Sequence, residues 1–363
     1  MLRPGDRIVM EFKPDWEKVK KRYLAFWQGE ILDRVLFSVV VPRKKVPTLP
    51  EPKEPEIRFA DTEYLIRLNF WRLENTFYLA DALPVFPTDC GVLLPDCLFA
   101  AEMIYGETVW LKPHLRSSEE ILNSKFPDYQ HPLLKKQETY YRRVCQLLRG
   151  KCFVMRPALT PGLDCLAGVL GTERVCLEMA EDSPSLVQAL ARINEAWLRL
   201  YQQFQEIALA FGVETTDFLP LWGPGKTAVL QCDLANLISP SFFQKFALPG
   251  LSFCASNLDR AIFHLHGQNS LRHLPALLDC QWLKVIQWQP GGPDRFLQDA
   301  GRWLPLLKQV QAAGKKLYVA CRPDQVGPIL ENLSSRNLFV ETTAADIEEA
   351  CRLERLAFHL THD

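Results

Sequence analysis

Apolar residues recur at helical spacing near the start of the chain. The spacing predicts a helix that Asp15 caps and Gly29 ends, with an apolar face made of Trp16, Val19, Tyr23, Phe26 and Trp27. The β-branched run at 35–41 predicts a strand, and the proline-rich, charged residues 42–55 predict an exposed loop. Residues 62–79 are aromatic and apolar at helical spacing. We therefore expect residues 1–80 to form an extension of helices and strand.

Farther along, short apolar runs alternate with longer amphipathic ones, such as the helical patterns at 183–211 and 299–313. Strands that alternate with helices indicate a parallel sheet. The chain has no glycine fingerprint of the dinucleotide-binding type, so a closed (β/α)₈ TIM barrel is favoured over a doubly wound sheet. We predict one structural domain, a barrel over 81–363 with the extension packed on it. The predicted strands are 83–86, 153–158, 217–222, 261–266, 284–288, 316–321 and 337–341.

Two histidines stand out where one of these apolar runs stops. His264 and His266 are separated by one residue, and Gly267 follows them. Residues i and i+2 of a strand point to the same face, so both imidazoles are expected side by side at the strand end. Such a pair can share a metal ion, bind an anionic substrate or transfer a proton. The alternative is a hydrogen-bonded pair that only orders the mouth of the barrel.

In a (β/α)₈ barrel the functional residues lie at the carboxyl ends of the strands. Several side chains of this sequence are predicted to lie at such ends. Asp233 is a candidate for catalysis or for orienting a histidine, with a loop cap as the alternative. Asp164 is a candidate for substrate binding, although a helix cap competes. The remaining candidates at strand ends are Trp222 and Trp288 as pocket walls, Gln287 as a hydrogen-bonding group, and Cys321, Arg322 and Glu341.

Composition limits the kinds of partner that the protein can bind and the cellular compartment in which we expect it. The formal net charge is −1, which gives no reason to expect nucleic acid, and no run approaches the ~20 apolar residues that span a bilayer. The eleven cysteines are scattered, without a Cys-x-x-Cys pair, and are predicted to be reduced and packed as small apolar residues. The first residues become charged at once, without an apolar signal region. We expect a cytoplasmic protein that acts on a small molecule; a homodimer is compatible with these features.

Several stretches resemble the uroporphyrinogen decarboxylase superfamily, in particular an uncharacterised bacterial branch related to cobalamin-dependent methyltransferases. The resemblance spans nearly the whole chain, and it implies a (β/α)₈ barrel. The stretches are 16–18 through 31–34, 162–167 with 171–174, 231–233 with 238–240, 263–267, 271–274 and 286–288.

The resemblance also implies chemistry. The methyltransferases of this superfamily hold zinc with a His-x-Cys pair and a later cysteine, and zinc makes a bound thiol nucleophilic at neutral pH. Here His264 matches the histidine and His266 stands at the cysteine. No late cysteine follows, so Glu341 or Cys321 is expected to complete the metal site. A corrinoid-binding Asp-x-His-x-x-Gly pattern is absent, which implies that a partner protein supplies the corrinoid or that it comes as a free cofactor.

Two other functions stay open. The chain lacks the family's arginine-rich motif, which disfavours decarboxylation of a tetrapyrrole with eight carboxylates. A decarboxylase or lyase of the same type, acting on a smaller carboxylate, would use His264 as acid or base, with Arg322 and Asp233 as orienting groups. A barrel that binds a corrinoid or tetrapyrrole without turning it over is the third hypothesis.

Overall fold

The structure is a computed structural model that describes residues 10–43, 47, 49–292 and 296–363. The charged residues 1–7 and part of the predicted loop 42–55 lie outside the described residues. The helices are α1 (Trp16–Gln28), α2 (Pro55–Ala60), α3 (Thr62–Glu74), α4 (Ser118–Leu122), α5 (Pro132–Leu148), α6 (Gly162–Leu170), α7 (Thr172–Ala180), α8 (Pro184–Phe211), α9 (Pro240–Phe242), α10 (Leu248–Ser256), α11 (Leu274–Leu278), α12 (Ala300–Ala312), α13 (Val326–Asn332) and α14 (Ile347–His359).

The strands are β1 (Leu36–Pro42), β2 (Thr76–Ala80), β3 (Val85–Phe86), β4 (Glu102–Tyr105), β5 (Val109–Lys112), β6 (Phe153–Met155), β7 (Thr215–Thr216), β8 (Thr227–Gln231), β9 (Arg260–His266), β10 (Leu283–Gln289), β11 (Lys316–Ala320) and β12 (Leu338–Thr343). Short 3₁₀ segments lie at Asp96–Phe99, Asp233–Asn236, Gln268–His273, Pro323–Gln325 and Ser335–Asn337, and Phe243–Ala247 is π-helical.

The central sheet is mostly parallel, as the alternation of strands and helices predicts. Seven strands are hydrogen-bonded in the order β2-β1-β12-β11-β10-β9-β8, and only the β1–β2 pair is antiparallel. A second parallel sheet has the order β3-β6-β7, and β4 and β5 form a separate hairpin. The fold is therefore mixed α/β. Closure into a barrel and a domain boundary at residue 80 stay predictions, while β1 and β2 of the predicted extension belong to the seven-stranded sheet.

Each face of this sheet has its own core. Alternate strand residues such as Val229, Ile262 and Tyr318 pack with Trp16 and Phe26 of α1. Their neighbours on the other face, among them Phe263 and Leu265 of β9, join a larger core with the surrounding helices. The predicted first helix is thus confirmed, and its aromatic face covers the layer of side chains that precedes His264 along the strand.

Two predicted elements need correction. The predicted helix 62–79 ends at Glu74, and its last residues form β2, which pairs with β1. The predicted strand 217–222 is irregular, and the strand lies at β8 instead. Pro220 and Pro224 lack the amide hydrogens that a strand needs, and the Asp217 carboxylate accepts from the amides of Phe218 and Val229. These contacts hold the segment as a loop.

The cysteines agree with the sequence expectation. Nine of the eleven thiols are buried, which confirms that most cysteines serve as small apolar residues. Within the described ranges, no helix is both long enough and apolar enough to cross a bilayer.

A buried ion-pair network joins α1 to the start of the sheet. The Asp81 carboxylate is fully buried and accepts from Arg22 (3.0 Å), from Arg34 and from the amide of Phe37. Arg22 also donates to both oxygens of Asp33, at 2.6 and 2.8 Å. Two arginines that are almost fully buried therefore share one central carboxylate, and Asp33 forms the outer, partly exposed end.

This outer pair makes part of the stability depend on pH. The hydrogen bonds from Arg22 hold the pKa of the Asp33 carboxyl below its ordinary value. A depressed carboxyl pKa contributes stability above the unfolded-state pKa of about 4, and that stability is lost as the pH falls through the lower folded value. We expect D33N to be less stable than the parent at pH 7, with the difference shrinking toward pH 3. Urea unfolding of both proteins across this range measures it; a difference that is independent of pH would contradict the prediction.

Candidate metal centre

The two histidines lie together at the carboxyl end of β9, as their spacing predicts. Their rings are nearly parallel, with centroids 5.5 Å apart and planes inclined by 23°. Gly267 ends the strand at φ +81°, a conformation that glycine adopts without strain. Both imidazoles are half-buried on the face that carries Ile262 one layer below. The strand therefore presents two ring nitrogens side by side.

Parallel register places polar side chains beside this pair. His264 is opposite Gln231 of β8 and Gln287 of β10, and His266 is opposite Gln289. On β10, Gln287 is in turn opposite Tyr318 of β11. The strand ends thus form rows of side chains capable of hydrogen bonding, directly above the apolar layer.

Gln287 orients the first histidine. Its side-chain oxygen contacts Nδ1 of His264, so Nδ1 carries the proton and the Nε2 lone pair stays available. Phe218 packs its ring edge-on against the imidazole, with centroids 5.6 Å apart. Burial lowers the pKa of His264, which favours the neutral ring that a metal needs.

Asp233 completes a group of three potential ligands. It is the first residue of the 3₁₀ segment after β8, and its Oδ1 lies 3.6 Å from Nδ1 of His266. One ligand atom each from Asp233, His264 and His266 lies within 4.8 Å of the other two. Two tetrahedral zinc ligands are about 3.3 Å apart, so small side-chain rotations would close the group. In the part of the chain that the structure describes, no second group of three such side chains converges.

Asp164 contacts this group from α6. Its carboxylate accepts from the backbone amides of Asp233, at 2.7 Å, and Leu234, at 2.9 Å. Burial and the neighbouring charge of Asp233 raise the pKa of Asp164 to about 7. The side chain does not cap its own helix, since its oxygens serve the 3₁₀ segment of Asp233. The predicted role in substrate binding is not tested by this geometry.

A cavity of about 250 Å³ opens beside the histidines. His264 lines it together with the buried Glu341 of β12, to which Tyr318 donates its hydroxyl hydrogen. The other lining residues are Phe218, Leu219, Gln287, Gln289, Ala320 and, as above, Tyr318. Polar side chains from four neighbouring strands therefore face a space that suits a small molecule.

The remaining predicted residues lie elsewhere. Trp222 packs on Trp16 of α1, with centroids 5.1 Å apart, because its predicted strand is a loop. Trp288 alternates with Gln287 and Gln289 and is turned to the opposite face, where it packs on Trp303 at 5.2 Å. Neither tryptophan lines the cavity beside His264, and their predicted role as walls of a substrate pocket stays a prediction.

Two further candidates follow β11. Cys321 is fully buried, and burial raises its pKa far above the ordinary value for a thiol. Arg322 is exposed and does not line the cavity. Neither belongs to the convergent group of Asp233, His264 and His266, although Glu341 shares the cavity with His264.

Three residues that line or support the candidate site were not predicted from the sequence. Tyr318 was detectable, since alternation along the predicted strand places it two residues before Ala320 on the cavity face. Phe218 was hidden by the incorrect strand at 217–222. Asn236, which donates to the carbonyl oxygen of His266 at 2.8 Å, had no signal, because that contact depends on how the 3₁₀ segment docks.

Comparisons with known proteins bear on the fold. No protein-family model matches the chain, and no curated protein matches it significantly. Among solved structures, the chain is similar to a methyltransferase from Methanosarcina mazei, with a TM-score of 0.60 and 14% sequence identity. The match covers 94% of this chain and 96% of that one. At this identity the likeness shows a shared fold over nearly the full length of both chains.

Proposed function

We propose that this chain is a zinc-dependent, methyltransferase-like enzyme of the uroporphyrinogen decarboxylase superfamily, which moves a methyl group from a corrinoid to a small acceptor. The observation that carries the proposal is the convergence of Asp233, His264 and His266, the second of which also lines a small cavity with polar side chains. The shared fold with a methyltransferase supports it. The proposal includes a closed (β/α)₈ barrel, in which Arg156 bridges the two parallel sheets through Thr215 and the carbonyl oxygen of Thr227.

The donor set fits a catalytic zinc ion. Two imidazoles and one carboxylate leave a fourth position open, as in zinc enzymes whose reactants bind the metal. When bound, zinc would supply a Lewis acid that stabilises the deprotonated acceptor. Gln287 holds His264 in the tautomer that leaves Nε2 available, and the Asp233 carboxylate offsets one of the two positive charges. Glu341 remains a candidate for a further oxygen ligand, whereas burial of Cys321 disfavours its thiolate.

The volume of the cavity indicates which of the two proposed substrates, the acceptor or the corrinoid, it can hold. Pockets for drug-sized ligands measure about 300–1,000 Å³, and a corrinoid is larger than those ligands. The cavity of about 250 Å³ therefore suits the acceptor alone. The corrinoid is then presented from outside, by a partner protein or as a free cofactor, and meets the acceptor at the carboxyl ends of the strands.

Metal analysis tests this function directly. Protein purified without chelator is expected to hold about one zinc ion per chain, and methylcobalamin is expected to lose its methyl group to one member of a panel of small thiols and alcohols. Treatment with a chelator should abolish transfer, and zinc should restore it. Absence of stoichiometric metal, or transfer that survives its removal, would overturn the proposal. Decarboxylation that survives chelation would favour the lyase, and a spectral shift with corrinoids but no turnover would favour the binder.

A further inference from the structure

We propose that Asp164 is a positioning residue that fixes Asp233 in place to serve as the carboxylate ligand of the metal centre. This inference rests on the metal site proposed above and adds a residue that acts through another. It identifies what holds the one ligand that does not lie on β9. That ligand, Asp233, is the first residue of the 3₁₀ segment Asp233–Asn236.

Asp164 supplies a cap to a segment that is distant in sequence. The first amides of any helical segment lack partners within it, and a carboxylate is a strong acceptor for them. Both oxygens of Asp164 are used in this way, one for the amide of Asp233 and one for that of Leu234. Because α6 is anchored in the core through Leu163, Cys165 and Leu166, the carboxylate has a rigid base.

Two other side chains hold the same segment. Asn236 donates to the carbonyl oxygen of Asp233 at 3.2 Å and to that of His266 at 2.8 Å, and so ties the segment to the end of β9. The buried ring of His273 bonds the carbonyl oxygen of Ala235 through Nε2 at 2.8 Å. At Gly267, a Cβ atom would lie 2.3 Å from Oδ1 of Asn236, so the glycine makes room for this contact.

The backbone of Asp233 is therefore held on both sides, by Asp164 at its amide and by Asn236 at its carbonyl. The Asp233 side chain is 51% exposed, so packing does little to fix its direction. Its orientation toward His266 then depends on the backbone. Loss of either hydrogen-bonding partner would let the carboxylate turn toward solvent, at a cost in metal affinity.

Substitutions separate positioning from simple charge. D164N keeps the shape but removes the charge and one acceptor, whereas N236A breaks the second hold without changing charge. We expect both to weaken Co²⁺ binding about 10–100-fold, as loss of an outer partner of a ligand does, and to speed amide hydrogen exchange of the 3₁₀ segment with or without metal. D182N, the same change at an exposed aspartate, is the matched control. Binding is followed by the visible absorption of Co²⁺, and thermal unfolding checks that the variants fold.

Each outcome decides the matter. Weakened binding in both variants, with faster exchange of the segment, supports positioning. If D164N alone weakens binding and exchange is unchanged, Asp164 acts by charge and the inference is wrong. If the parent binds metal and both variants bind it equally well, the inference fails while the metal centre stands. A parent that binds no metal removes both proposals.

Discussion

Replacement of Asp81 by alanine is expected to lower the free energy of unfolding by about 3–5 kcal/mol, because removal of one member of a buried ion pair leaves its partner's charge uncompensated. Here one carboxylate serves both Arg22 and Arg34, each almost fully buried, and it also accepts the amide of Phe37. No other described carboxylate contacts both arginines. The expected loss is a large part of the 5–15 kcal/mol that typically stabilises a domain.

Urea unfolding at pH 7 measures this effect, and E354Q is the matched control. Glu354 contacts Arg34 at 3.1 Å, but its side chain is 41% exposed, so water replaces it and the expected loss is below about 1 kcal/mol. Equal losses for the two variants would contradict a special role for the buried carboxylate. If D81A fails to fold, the more conservative D81N provides the comparison.

Replacement of His264 by alanine is expected to weaken metal binding by more than about 100-fold. This exceeds the loss of affinity caused by removing a residue that only hydrogen-bonds to a metal ligand. The imidazole offers Nε2 as a ligand while Gln287 holds Nδ1, and neither function survives truncation. The fold should survive, because the side chain borders a cavity instead of filling the core. Metal content after dialysis and Co²⁺ titration measure the loss.

H359A is the control for this prediction, since His359 is an exposed histidine near the end of α14. It should hold metal as the parent does. If the metal affinity of H264A is within tenfold of that of the parent, the histidine pair is not the core of the metal site. The alternative hypothesis, a hydrogen-bonded pair that only orders the strand ends, would then be favoured.

The local pattern of apolar and polar residues predicted the helices and strands whose own residues repeat at a regular spacing. The first helix, the long helix α8 and the strands with continuous apolar runs all follow from periodicity, because burial of one face imposes a spacing on each. The segment 217–222 is apolar too, yet it is a loop. Its conformation depends on a hydrogen bond from Val229, twelve residues away from Asp217, which no local pattern contains.

The residues of the candidate site divide in the same way, into those that a local pattern predicts and those that depend on contacts distant in sequence. His264 and His266 were predictable, since spacing and a strand end place them on one face. The role of Gln287 follows from parallel register once the order of β9 and β10 is known. Asp164 was an expected site residue with an open role, because its partners lie 69 and 70 positions away. The packing of Trp222 on Trp16 could not be predicted locally, because the two residues lie far apart in the chain.

The three proposed ligands lie between residues 233 and 266, within the span of two consecutive strands. Ala320 of β11 and Glu341 of β12 line another part of the cavity and come much later in the chain. The proposed ligands and this part of the cavity wall are thus encoded in separate stretches of the gene. If the proposed centre holds its ion, substitution of Ala320, which offers no ligand atom, would change which molecule fits the cavity without loss of the metal. Substrate range would then diversify during evolution around a constant inorganic centre.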